Sequence, residues 1–269
     1  VFDLDDILSA SQNHKVLFYE QDRDWNYLVS ANRYSTDIFE RAFAYNREKI
    51  LEDGYPRNDI LYADNKDEIA REVKQELGIP EGKRVILYAP TWRDNQFYSK
   101  GHYKFQLAMD LDLMRRELSQ DTVILLRTHY HISDILDLSE YAGFVYNGSQ
   151  YEDVSRLYLA SDICITDYSS VFFDFANLRR PMLFFVYDLD EYADEIRGLY
   201  FDMETTLPGP LLHTNDELLA ALKNMDPIVE KYKDRYDAFY EKFCSVDDGH
   251  ASERIIEKVF GEREKLFEQ

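Results

Sequence analysis

The feature that most constrains this chain is a set of short apolar runs that do not alternate. Arg84-Val85-Ile86-Leu87-Tyr88-Ala89, Thr122 to Arg127, Gly143-Phe144-Val145-Tyr146, Asp162-Ile163-Cys164-Ile165-Thr166 and Pro181 to Tyr187 are apolar almost throughout. A strand with one wet face alternates apolar and polar residues, whereas a strand covered on both faces does not. Helical patterns near 105–118, 151–160, 169–178 and 215–224 separate these runs. Strand and helix in turn predict an α/β fold, a doubly wound and mainly parallel sheet with helices on both faces, over residues 79–226.

The flanks read differently. Region 1–78 offers a strand at Trp25-Asn26-Tyr27-Leu28-Val29-Ser30 and a helix near 34–45 with Ser35 or Thr36 as N-cap. Asp53-Gly54-Tyr55-Pro56-Arg57-Asn58-Asp59 is a turn by composition, and a helix near 64–77 stops at Gly78 with Pro80 following. One or two strands make no stable sheet alone, so 1–78 is expected to be the tail of another domain. In 227–269, Ile228, Val229, Tyr232, Tyr236, Phe239, Tyr240 and Phe243 recur at helical spacing. Packing on the fold is the plainer reading of that stripe, ahead of a membrane-lying helix. A last helix near 250–268 is placed to cross back to the first region.

Composition narrows the function classes. Thirty-one Lys and Arg stand against 52 Asp and Glu, a net charge of −21. Nucleic acid binding draws on a basic surface, so no nucleic acid partner is expected. The same charge opposes adhesion to an anionic membrane by the surface as a whole. Two cysteines are too few for a disulfide framework or a zinc site, and Cys164 lies in an apolar run as a buried thiol, which fits a reducing compartment. No signal peptide, apolar membrane span, Walker loop, GxGxxG or GxSxG elbow is present. No cluster has metal-ligand spacing, so neither metal nor cofactor is expected.

Ligands of doubly wound sheets bind beyond the carboxyl ends of the strands. The residues there are Pro90-Thr91-Trp92-Arg93, Arg127-Thr128-His129, Asn147-Gly148-Ser149 and Asp167-Tyr168-Ser169-Ser170. Scarce positive charge gathered on one edge of an acidic chain suits an anionic ligand. Ser169 and Ser170 open a helix, where free amides and hydroxyls can seat a phosphate. Taken singly, either serine could be an N-cap, Asp167 a turn residue and His129 an ordinary hydrogen-bonded histidine. Their joint occurrence at four strand ends favours a site.

These segments, together with Gly54 to Asp59, Asp174, Arg179-Arg180-Pro181, Arg197-Gly198-Leu199-Tyr200, Pro208-Gly209-Pro210 and Asp248-Gly249-His250-Ala251-Ser252-Glu253-Arg254, occur in the order of the CDP-glycerol glycerophosphotransferases, which the chain resembles over nearly its whole length. The resemblance implies a GT-B architecture, two Rossmann-like domains facing a cleft, with residues 79–226 as the nucleotide-binding one. It implies CDP-glycerol or CDP-ribitol as donor and a lipid-linked teichoic acid as acceptor. CMP would leave, at the cytoplasmic face of the cell membrane, with any peripheral membrane association made by parts outside this chain. Thr91, Arg93, Arg127, Asp167, Ser169 and Ser170 would bind the substrate, with His129 catalytic; Asp167 would orient His129 or a ribose hydroxyl. The family's Trp-His-Gly-Thr-Pro motif, source of the expected general base, has no counterpart here, and His250 stands where a Lys is expected. The chain begins at Val1, and it is expected to lack most of the first domain and with it the base. Two other readings are a UDP-sugar glycosyltransferase or epimerase of the same architecture, and a non-catalytic nucleotide-binding module.

Overall fold

The computed structural model describes residues 24–91, 97–99, 102–103, 107–128, 137–189 and 201–267. Along the chain run β1 (Leu28–Ser30), α1 (Arg33–Ala42), β2 (Ile50–Glu52), a 3-10 turn (Pro56–Tyr62) and α2 (Lys66–Glu76). Then come β3 (Arg84–Ala89), the short β4 (Phe97–Ser99) and β5 (His102–Tyr103), α3 (Leu111–Leu118), β6 (Thr122–Leu126) and β7 (Val145–Asn147). After these follow α4 (Val154–Ala160), β8 (Ile163–Thr166), α5 (Val171–Phe175), β9 (Met182–Phe185) and α6 (Met203–Thr206). The chain ends with β10 (Leu211–Leu212), α7 (Asn215–Lys223), α8 (Met225–Phe243) and α9 (Ala251–Phe267).

Two compact units result. One joins the chain through Ala63 with Tyr240 onward; the other runs from Asp64 to Phe239. The position near residue 78 expected as a boundary thus lies inside the second unit, and segment 227–269 is shared between the two.

The second unit holds a six-stranded sheet in the order β10-β9-β8-β3-β6-β7, every pairing parallel. The non-alternating runs are its strands, as expected. Ile86, Tyr88, Ile124, Leu126, Ile163, Ile165, Leu183 and Phe185 share one face with Met114 and Leu118 of α3 and Leu218 and Leu222 of α7. Their neighbours Val85, Leu87, Val123, Leu125, Cys164, Met182 and Phe184 are equally buried, and strand alternation turns them to the other face. Burial pushes the Cys164 thiol well above its ordinary range, so it is an inert core residue. The region expected as a helix over 169–178 is five α-helical residues and a 3-10 turn, closed by Arg179 in the left-handed conformation. Phe172 and Phe173 of α5 pack on Phe239 of α8, and Tyr236 donates to Arg180 O at 2.8 Å. Within the α8 stripe, Tyr236 and Phe239 thus pack on the sheet unit, whereas Val229 is exposed.

The first unit has a parallel pair, β1 with β2, which aligns Leu28 to Ser30 with Ile50 to Glu52. Asn32, rather than Ser35 or Thr36, caps α1, accepting from Ser35 N at 2.8 Å. Thr36 is fully buried, and its hydroxyl bonds Ser30 Oγ and Asn32 O instead. The expected turn at 53–59 is built around carboxylates. Asp247 accepts from Tyr55 N at 2.8 Å and Asn58 Nδ2 at 2.7 Å. Gly54 turns there with φ +84°, and a Cβ on it would stand 2.4 Å from Asp247 Oδ1, so only glycine fits. Asp59 caps α9 through Ala251 N and Ser252 N at 2.9 and 2.8 Å, and Lys258 pairs with the buried Asp53 at 2.7 Å. The last helix does return to the first region.

Candidate functional site

The strand order contains one reversal. From β3 the chain steps outward to β6 and β7; from β8 it steps the other way, to β9 and β10. A crevice forms beyond the carboxyl ends of the two strands that flank such a reversal. Here those strands are β3 and β8, paired from Ile86 with Ile163 to Ala89 with Thr166. Thr91 follows the first and Asp167 the second.

These two residues bond to each other. Thr91 donates its amide to Asp167 at 2.8 and 3.0 Å and its hydroxyl at 2.6 Å. The same carboxylate receives Tyr168 N at 2.6 Å and Ser169 N at 3.3 Å, and Asp167 is only 2% exposed. Four donors converge on one buried anion, so Asp167 ties the loop after β3 to the turn after β8. Beneath it, Thr166 Oγ1 donates to Ala89 O at 2.7 Å. Tyr168 OH continues the line by donating to Asp188 beyond β9 at 3.1 Å.

Ser169 is half-buried and Ser170 exposed, and the Ser170 side chain makes no cap bond to α5. The simple N-cap reading of that serine is therefore absent. The amides of Tyr168 and Ser169, expected to be open to a ligand, point at Asp167. Of the amides that follow, Phe173 N already donates to Ser170 O at 3.1 Å.

Arg127, expected as a donor to the ligand, holds backbone. Its Nη1 donates to Gly148 O at 2.7 Å, Ser149 O at 3.0 Å and Tyr151 O at 2.5 Å. Burial lowers its pKa from the ordinary arginine value. Next to it, Thr128 N donates to Ser149 Oγ at 3.0 Å, and the Thr128 and Ser149 hydroxyls share a further bond of 3.0 Å. Sequence reasoning placed Asn147-Gly148-Ser149 at the edge but gave Ser149 no part in the site; its burial at 7% exposed is a signal that appears only in three dimensions.

Thr91, Asp167, Ser169 and Ser170 are thus together at the reversal, with Arg127 on the neighbouring strand end. Arg93 and His129, and the Arg197 to Tyr200 motif, lie outside the described residues. Among the described residues no cluster of His, Cys, Asp or Glu could hold a metal ion, and no helix is long and apolar enough to cross a membrane.

Residues 2–261 match the family described as CDP-Glycerol:Poly(glycerophosphate) glycerophosphotransferase. The chain is 49% identical over 250 residues to the teichoic acid poly(glycerol phosphate) polymerase of Bacillus subtilis (strain 168), a span of 93% of this chain but 33% of that one. A variant of the wall teichoic acid polymerase TagF aligns with a TM-score of 0.89 at 48% identity, over 96% of this chain and 63% of the other. A TagF structure soaked with CDPG aligns at 0.86 and 45% identity, over 96% and 62%.

Proposed function

The chain belongs to the CDP-glycerol:poly(glycerophosphate) glycerophosphotransferase family, and on that premise we propose that it carries the CDP-alditol-binding part of a GT-B-type transferase. The full reaction moves glycerol phosphate from CDP-glycerol to a hydroxyl of a teichoic acid polymer or lipid-linked primer, at the cytoplasmic face of the cell membrane. The hydroxyl oxygen attacks the β-phosphorus, the bond from that phosphorus to the bridging oxygen breaks, and CMP leaves with the electron pair. A general base takes the hydroxyl proton.

The observation that carries this reading is the strand reversal between β3 and β8, where the Asp167 clasp presents Ser169 and Ser170 at the crevice. Charge develops on the CMP side as the bond breaks, and preorganised donors there lower the barrier. Ser169 and Ser170 supply hydroxyls; Arg93 and His129 supply cationic and hydrogen-bond donors to the pyrophosphate. Asp167 acts as the organiser of this edge, since a carboxylate facing a phosphate would repel it. Glycerol is preferred to ribitol as the alditol because the 49% identical relative is named for glycerol phosphate.

Calorimetry on this chain with CDP-glycerol, CDP-ribitol and UDP-N-acetylglucosamine tests the reading. CDP-glycerol should bind best and the UDP-sugar not at all. Ser170→Asp should cost about a hundred-fold in affinity by repulsion, and Ser170→Ala only a few-fold. Tighter binding of the UDP-sugar, or equal small effects of the two substitutions, would overturn it.

A further inference from the structure

The turn between β7 and α4 is held from several sides. Arg127 Nη1 binds three of its carbonyls, Gly148, Ser149 and Tyr151. Ser149 Oγ bonds both the amide and the hydroxyl of Thr128, and Ser149 N donates to Asn147 Oδ1 at 2.9 Å. Tyr151 OH donates to Glu76 of α2 and accepts from Arg156 Nε at 3.2 Å. Gly148 fits against Leu125 and Leu157, where a Cβ would stand 3.0 and 3.1 Å from their methyls.

Connecting turns are ordinarily among the more mobile parts of a fold. One fixed this thoroughly at a ligand-facing edge is preorganised for what passes over it. The molecule uses the same device elsewhere. Arg180 Nη1 donates to the carbonyls of Tyr158, Leu159 and Ser161, at the amino end of β8, away from the crevice. A guanidinium nitrogen on three carbonyls is in this fold a way to fix backbone.

We propose that Ser149 and Arg127 are positioning residues: together they hold the β7–α4 turn against the exit of β6, and Arg127 influences the ligand through that turn rather than by touching the pyrophosphate. Thr128, which both residues steady, is the last described residue before His129. The proposal rests on the CDP-alditol reading above and goes beyond it by giving Arg127 and Ser149 the role of organisers of the edge rather than ligand contacts.

Two residues that act through one turn lose their effect together, whereas independent contacts add. The test is calorimetric CDP-glycerol binding by the parent chain, Ser149→Ala, Arg127→Met and the double variant, with Ser161→Ala as control. Ser161 Oγ donates to Leu157 O at 2.7 Å, so its loss removes a buried hydroxyl bond at the opposite edge of the sheet. Ser149→Ala and Arg127→Met should each weaken binding about ten-fold, and the double variant also about ten-fold rather than a hundred-fold. Ser161→Ala should lower the melting temperature comparably to Ser149→Ala yet keep affinity within about two-fold. Parental affinity in Ser149→Ala, or multiplicative losses in the double variant, would overturn the inference and leave the CDP-alditol reading standing. A parent chain that binds no CDP-glycerol overturns that reading itself. Should Arg127→Met fail to fold, the contrast between Ser149→Ala and Ser161→Ala decides alone.

Discussion

Removing the Asp167 carboxylate is the sharpest perturbation of the edge. Three strong bonds end on it, from Thr91 N, Thr91 Oγ1 and Tyr168 N, with Ser169 N more distant at 3.3 Å. A hydrogen bond to a charged acceptor contributes about 1.5–3 kcal/mol. Simple addition over three bonds overshoots, because water reaches the half-buried Thr91 once the carboxylate is gone. We therefore expect Asp167→Ala to cost about 3–5 kcal/mol. For a unit of this size each kcal/mol is worth about 2–4 °C, so the midpoint should fall by about 6–20 °C. Asp167→Asn is the instructive contrast. Its Oδ1 can keep the bonds that now end on that oxygen, while the charge and the weaker contact of Oδ2 with Thr91 N at 3.0 Å are lost. It should cost about 1–2 kcal/mol. Thermal melts followed by circular dichroism, with urea titration to check two-state behaviour, measure both. If Asp167→Ala melts within about 2 °C of the parent, the clasp contributes little and the reasoning fails. Equal losses for Asn and Ala would show that acceptor geometry does not matter.

Gly54→Ala combines left-handed strain with displacement of a buried carboxylate, and should cost about 3 kcal/mol or more; urea unfolding that shifts by less than about 1 kcal/mol would refute the steric argument. Tyr62 has its pKa raised above the ordinary 10.0, first by burial and then by its hydrogen bond with Tyr240. With the folded-state value above the unfolded one, its contribution to stability is complete below the unfolded pKa and shrinks as pH rises past it. Stability measured at about pH 8 and about pH 11 should therefore fall more in the parent than in Tyr62→Phe, and equal falls would contradict the assignment.

Much of the sheet was legible because central parallel strands leave a plain mark. Val85 to Ala89 are buried on both faces and show no alternation. β2 and β10 escaped notice for the opposite reason. Ile50–Glu52 sits among charged residues, and Leu211–Leu212 is two residues long, so neither shows a period. The cap of α1 was misplaced because Ser30, Asn32 and Thr36 are joined by local side-chain bonds, Thr36 to Ser30 Oγ and Asn32 O, that draw Thr36 away from a cap role. Reading the residues after each strand put Thr91, Asp167, Ser169 and Ser170 at one edge, and the structure brings them together at the reversal between β3 and β8. What that reading did not supply was the bonding within the edge. Arg127 looks in sequence like a free cation, and its carbonyl partners lie 21 to 24 residues onward. Nothing local announces them.

The carboxylates that join the 53–59 turn to α9 also impose an order on synthesis. Asp59 waits for backbone amides 192 residues further along the chain. At about 5–20 residues per second, the nascent N-terminal segment spends about 10–40 s without the groups that complete its unit, while every strand of the six-stranded sheet is translated in between. The sheet unit is therefore able to mature first on the ribosome. A nonsense codon between Phe239 and Ala251 releases a chain whose sheet is whole and whose first unit is open, a species exposed to proteolysis in that first unit.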